Sequence, residues 1–151
     1  MMNMDVLLLN GPNQNLYGKR NPTVYGHTTL ATIEQSVRDQ AKEMGWVLEC
    51  YQSNSEGALI DRIHLAEQEG CKYIITNMGA YTHTSIAIRD AFEGVDIPFV
   101  EIHISNVFAR QDCRRTSYIA EIATAVLAGC GAYVYNLAMT YVDHELKIGH
   151  I

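Results

Sequence analysis

The chain has 151 residues, of which 48% are hydrophobic, and a formal net charge of −6. That is enough for one domain with a real core and too little for two comfortable ones, while the negative charge argues against nucleic acid, whose phosphates want a basic face. No apolar run reaches the length of a membrane span, and the N-terminus lacks a basic n-region with a cleavage site, so a cytoplasmic protein with no membrane partner is expected.

Five apolar strand-like runs alternate with five helical patterns, the signature of a parallel sheet covered on both faces. Strand 1 is expected at residues 5–10 and helix 1 at 29–44, with Thr28 or Thr29 as cap, Gly45 as stop, and Leu30, Ile33, Val37 and Ala41 at helical spacing. Strand 2 follows at 46–52. Helix 2 follows at 55–69, capped by Ser53 or Ser55, stopped by Gly70, with Leu59, Ile60, Ile63 and Ala66 inward. Strand 3 at 73–77 and helix 3 at about 84–92 come next, then strand 4 at 99–104 behind Pro98. A fifth strand near 123–128 and a last helix at about 131–146 complete one flavodoxin-like α/β domain spanning residues 1–151. The four cysteines, Cys50, Cys71, Cys113 and Cys130, are widely spaced without a CxxC pair. They read as reduced, mostly buried thiols rather than as a zinc site or a disulfide framework.

The stretch from Asn10 to Gly26, NGPNQNLYGKRNPTVYG, departs from this rhythm. A strand of this kind is normally followed by a short turn, yet the next helix waits until about Thr29. A loop this long in a small domain is usually functional or disordered, and its tyrosines and turn residues argue for function. The strands end at Asn10, Ser53, Asn77 and Ser105. In a parallel sheet these ends share the edge at which open α/β folds bind ligands. Any one of them is ordinary, since Asn and Ser often stop strands; four on one edge point to a site.

Strand 4 is sharper. In Glu101-Ile102-His103-Ile104-Ser105 the polar residues sit at i, i+2 and i+4, hence on one face of a strand that should be apolar on both. A carboxylate and an imidazole buried without partners would cost several kcal/mol. A lone histidine there would be read as a satisfied core residue; with Glu101 and Asn77 as neighbours His103 reads as functional. His83, in GAYTHTS at 79–85, stands before helix 3, whose N-terminus could hold an anion, with Thr82 or Thr84 as its cap. The remaining histidines show no metal spacing, and neither a GxGxxG nor a P-loop is present. Arg110, Arg114 and Arg115 follow strand 4 beside the same edge, Arg115 as a solvated or subunit-contact residue. Arg20 lies in the first loop five residues before Tyr25. A tyrosine acting as a base near neutral pH needs its pKa lowered by about three units from ~10, roughly 4 kcal/mol. One arginine at ~4 Å supplies about 4 kcal/mol at an effective dielectric of 20 before desolvation is deducted, so two arginines cover the shift.

Over essentially its whole length the chain resembles type II 3-dehydroquinate dehydratase. The resemblance rests on NGPNxN at 10–15, R-x-P-x-x-YG at 20–26, GAYTHTS at 79–85, EIHISN at 101–106 and AR-x-x-x-RR-x-SY at 109–118. It implies elimination of water from 3-dehydroquinate through an enolate, with no metal and no cofactor, in the shikimate pathway or quinate catabolism. By the same resemblance Tyr25 is the base, activated by Arg20 with Arg110 in support, and Asn13 holds a water that stabilises the enolate. His103 protonates the departing hydroxyl, oriented by Asn77 and Glu101. Asn77, His83, Ile104, Ser105 and Arg114 hold the substrate beside Gly79. Asp90 reaches a neighbouring subunit's site in a dodecamer built of four trimers. The loop at about 17–26 closes as a lid, with Gly18 and Gly26 as hinges. Gln14, Asn21 and Met78 depart from the family's usual residues. Two rivals come from other classes: a phosphate-ligand binding module, which would have no use for Tyr25, Arg20 and His103 together, and an inactive oligomeric scaffold, in which Tyr25→Phe would alter nothing measurable.

Overall fold

A computed structural model describes residues 3–19, 21, 23 and 27–150. Its centre is a five-stranded, all-parallel sheet made of β1 (Val6–Asn10), β2 (Leu48–Gln52), β3 (Tyr73–Asn77), β4 (Phe99–His103) and β5 (Ala125–Ala128). The spatial order is β2-β1-β3-β4-β5. This is the flavodoxin-like arrangement, in which the strand order reverses beside β1 and leaves a crevice at the carboxyl ends of β1 and β3.

Period-two alternation divides the apolar strand residues between two cores. Val6 and Leu8 face α1 (Leu30–Glu43) and α4 (Val134–Lys147), packing with Ile33, Val37, Val134, Tyr135 and Met139. Leu7 and Leu9 face α2 (Glu56–Gln68) and α3 (Ile86–Gly94), packing with Leu59, Ile63, Ile88 and Phe92. The expected helix starts are made by side-chain caps: Thr29 Oγ1 accepts from the Thr32 N–H at 3.3 Å and Ser55 Oγ from the Ala58 N–H at 3.2 Å. Each such cap contributes about 1 kcal/mol.

Four expectations are corrected. The cap of α3 is Ser85, whose Oγ accepts from the Ile88 N–H at 3.0 Å, while Thr82 and His83 belong to a preceding 3-10 turn, Gly79–His83. Ser85 Oγ also touches a carboxylate oxygen of Glu56, which makes this helix start a poor place for an anion. Strand 4 stops at His103, one residue early. Between β4 and β5 the described residues form short 3-10 turns, Val107–Ala109, Asp112–Arg114 and Ala120–Ile122, in place of a fifth helix. The segment offers no apolar stripe at helical spacing, and its Asn106 and Ser117 side chains bond to nearby backbone N–H groups instead. Finally, all four cysteines are free, but Cys113 and Cys130 are exposed. No helix among the described residues is long and apolar enough to cross a membrane.

Candidate active site

The carboxyl ends of β1 and β3 meet in register, Asn10 opposite Asn77, and the first loop leaves the sheet between them. It passes so close to the start of the β3–α3 connection that a Cβ on Gly11 would lie 2.4 Å from the Met78 carbonyl oxygen. Only glycine fits this crossing. Asn13 then takes a left-handed conformation (φ 67°), which asparagine tolerates, and its N–H donates to Asn54 Oδ1 at 2.9 Å. The loop's first turn is thereby pinned over the end of the sheet.

On the α2/α3 face, Glu101 and His103 are both buried, and His103 Nε2 lies 2.6 Å from Glu101 Oε2. The other carboxylate oxygen accepts from Ser117 Oγ at 2.7 Å. Ser117 Oγ itself accepts the N–H groups of Ile119 and Ala120 at 3.2 and 3.0 Å, so its own proton is directed at Glu101. Both carboxylate oxygens are satisfied, which removes the penalty of burying the group. His83 stacks over His103 with ring centroids 6.2 Å apart, and its Nδ1 is 2.7 Å from the Thr116 carbonyl oxygen. Burial, reinforced by the nearby His103 and Arg114, holds the His83 imidazole below the ordinary histidine range despite that bond.

On the α1/α4 face a second polar group gathers around Asn77. Its Oδ1 accepts from the Gly79 N–H at 3.2 Å and from Gln14 Nε2 at 3.3 Å, and its Nδ2 donates to the hydroxyls of Tyr17 (2.8 Å) and Tyr135 (3.0 Å). Burial pushes the Tyr135 phenol well above its ordinary range, so it keeps its proton and donates to Asn10 Oδ1 at 2.6 Å. The expectation that Asn77 orients His103 is therefore corrected. Thr76, not Asn77, is the register partner of Glu101, and alternation sends the Asn77 side chain to the opposite face of the sheet.

Both groups border a cavity of about 30 Å³ at the strand ends. Of the expected site residues, Asn13, Asn77, Gly79, His83, His103, Ile104, Ser105, Arg110 and Arg114 line it, and Glu101 supports His103 from behind. Arg110 Nη1 reaches Ser105 Oγ at 3.4 Å, and Arg114 Nε donates to Gln111 Oε1 at 3.1 Å. A larger cavity of about 520 Å³ shares His83, His103 and Arg114 and opens along β4 and β5 past Phe108 and Val126. The smaller cavity has room for ordered water or one polar group, a ring acid needing part of the larger one as well. Arg115 pairs with Asp112 at 2.8 Å in an exposed contact. Asp90 is exposed on α3 and lines neither cavity. Arg20, Tyr25 and Gly26 lie outside the described residues. Among the described residues no three His, Cys, Asp or Glu side chains converge as they would around a metal ion.

The family described as Dehydroquinase class II matches residues 4–143. The chain belongs to that family. It is 55% identical over 146 residues to the 3-dehydroquinate dehydratase of a Synechococcus species, covering 97% of this chain and 99% of the other. It is 52% identical over 136 residues to the catabolic 3-dehydroquinase of Debaryomyces hansenii, covering 90% and 94% of the two chains. Among solved structures, the type II dehydroquinase of Butyrivibrio crossotus superposes with a TM-score of 0.90 at 38% identity, covering 93% of this chain and 97% of that one.

Within this class II dehydroquinase framework, sequence reasoning passed over Tyr17, Tyr135 and Ser117. Tyr135 carried a usable signal: a tyrosine on the inward stripe of a helix must find a partner for its hydroxyl. Ser117 stood in the 109–118 motif but with no role attached, and Tyr17 carried no signal, because their partners lie 16 and 60 residues away in the chain.

Proposed function

We propose that the protein dehydrates 3-dehydroquinate to 3-dehydroshikimate by anti elimination, without a metal or a cofactor. The observation that carries this reading is the buried Glu101–His103 pair at a strand end, facing a cavity ringed by Asn13, Asn77, His83 and Arg114 in a chain of this family.

Tyr25 as phenolate takes a proton from the carbon beside the ketone, and the electron pair moves into the carbonyl to give an enolate. The enolate collapses, expelling the hydroxyl on the next carbon. His103 protonates that hydroxyl so that it leaves as water, and the ring gains a conjugated double bond. Glu101 accepts from Nε2 and so leaves Nδ1 to deliver the proton. Arg20 and Arg110 lower the phenol's proton affinity, Asn13 holds the water that hydrogen-bonds the enolate oxygen, and Arg114 takes the substrate carboxylate in a charge-assisted bond. Asn77, His83 and the Ile104 and Ser105 N–H groups take hydroxyl and carboxylate oxygens. The lid at 17–26 brings Tyr25 over the ring, and Asp90 completes a neighbouring subunit's site in a dodecamer of four trimers.

The experiment mixes EDTA-treated protein with 3-dehydroquinate and follows the ultraviolet absorbance of the enone. A rise that survives the chelator and falls by a factor on the order of 10² or more in Tyr25→Phe is expected. A folded protein that gives no rise contradicts the reading.

A further inference from the structure

The two polar groups flanking the cavity differ at their ends. Around Glu101 every oxygen has a donor. Around Asn77 two buried atoms have no partner among the described residues: Gln14 Oε1 and Asn10 Nδ2. Asn10 does not line the cavity; Gln14 does, and it is only 3% exposed.

The network decides which end of the Gln14 amide is unpaired. The Gly79 N–H is a donor whatever else happens, so the Asn77 atom it meets is the oxygen. The Gln14 atom 3.3 Å from that same oxygen must also be a donor, hence Nε2. The atom left over is an acceptor. Gly79 leaves no slack for another arrangement: at φ 57°, a Cβ there would sit 2.6 Å from Gln14 Nε2. Gln14 is thus clamped by the same residues that build the substrate pocket, with one acceptor unspent.

We propose that Gln14 is a specificity-determining residue whose Oε1 accepts a hydrogen bond from a ring hydroxyl of the bound polyol acid. This rests on the dehydratase reading for the identity of the ligand. A buried acceptor that a hydroxyl satisfies, and a methylene does not, rejects the analogue lacking that hydroxyl, because binding it leaves the acceptor unpaired. Its Nε2 meanwhile holds Asn77, so one side chain both positions the pocket and reads the ligand.

The test is calorimetric binding of quinate, the alcohol counterpart of the ketone substrate, and of its single-deoxy ring analogues. The native protein should bind quinate at least about tenfold more tightly than one of these analogues. Gln14→Met, of similar length and without the acceptor, should erase that gap and leave the gaps for the other ring positions intact. Gln14→Leu provides the same comparison if Gln14→Met fails to fold. Equal weakening toward all ligands, or every gap retained in a folded variant, overturns the proposal and reduces Gln14 to a packing residue. So does a native protein with no gap at any ring position. Native turnover of 3-dehydroquinate is measured separately, so a failed dehydratase reading is told apart from a failed role for Gln14.

Discussion

At the carboxyl edge of one sheet, two polar groups on opposite faces solve different problems. The Glu101–His103–Ser117 group is closed, with a carboxylate that accepts on both oxygens and a serine whose proton has one destination. The Asn77 group, with Gln14, Tyr17, Tyr135 and Asn10, is made of neutral amides and phenols, and Gln14, which lines the cavity, keeps one buried acceptor, Oε1, without a partner among the described residues. A buried charge has to be completed by protein, since leaving it unpaired costs several kcal/mol. A neutral amide can be left for a ligand to complete at a cost of about 1–3 kcal/mol. The closed group suits fixed proton transfer and the open one suits recognition.

The largest expected effect comes from breaking the closed group. Glu101→Gln keeps the volume but offers an amide with one donor end. Turned toward His103, that end forces the ring into the other tautomer; turned toward Ser117, it meets an oxygen already accepting two N–H bonds. Turnover should fall by a factor on the order of 10² with the fold retained, measured by steady-state assay beside circular dichroism. Breaking the open group should cost stability as well as substrate binding. Asn77→Ala removes the acceptor of the Gly79 N–H and of Gln14 Nε2 and takes one donor from each of two phenols, costing about 1–3 kcal/mol. At about 2–4 °C per kcal/mol for a chain this size, thermal unfolding reads the loss directly. An Asn77→Ala protein with native Tm would mean that the amide group is not held together as described.

The smallest effect belongs to His83, which stacks on His103. Its folded pKa is depressed, so as pH falls below about 6.5 the unfolded chain takes up the proton first. The stability tied to neutral His83 is full above that pH and is lost below it. His83→Gln should therefore flatten the decline of Tm between neutral and mildly acidic pH, and an unchanged slope would assign the decline to other groups.

Much of this was legible in the chain. The five strands, the caps Thr29 and Ser55 and the polar row on strand 4 follow from local patterning, and local patterning is what period and capping rules read. What was not legible depends on register or on distant partners. Asn77 belongs to the face opposite His103 only because Thr76 pairs with Glu101. Tyr135 reaches Asn10 from 125 residues away. The missing helix between β4 and β5 was an expectation from alternation, overruled by side chains that bond their own backbone. Gln14 stood out in the sequence as a departure from the family's usual residue; that its amide oxygen is buried and unpaired needed the surrounding network.

The proposed elimination depends most heavily on His103 as the proton donor. The decisive measurement is kcat of His103→Ala with 3-dehydroquinate, taken beside the affinity of the same variant for quinate. A fall in kcat by a factor on the order of 10²–10⁴ with affinity nearly native is the predicted result. A kcat within a few-fold of the native value would contradict it, and the closed Glu101–His103–Ser117 group would then be a structural feature of the strand end.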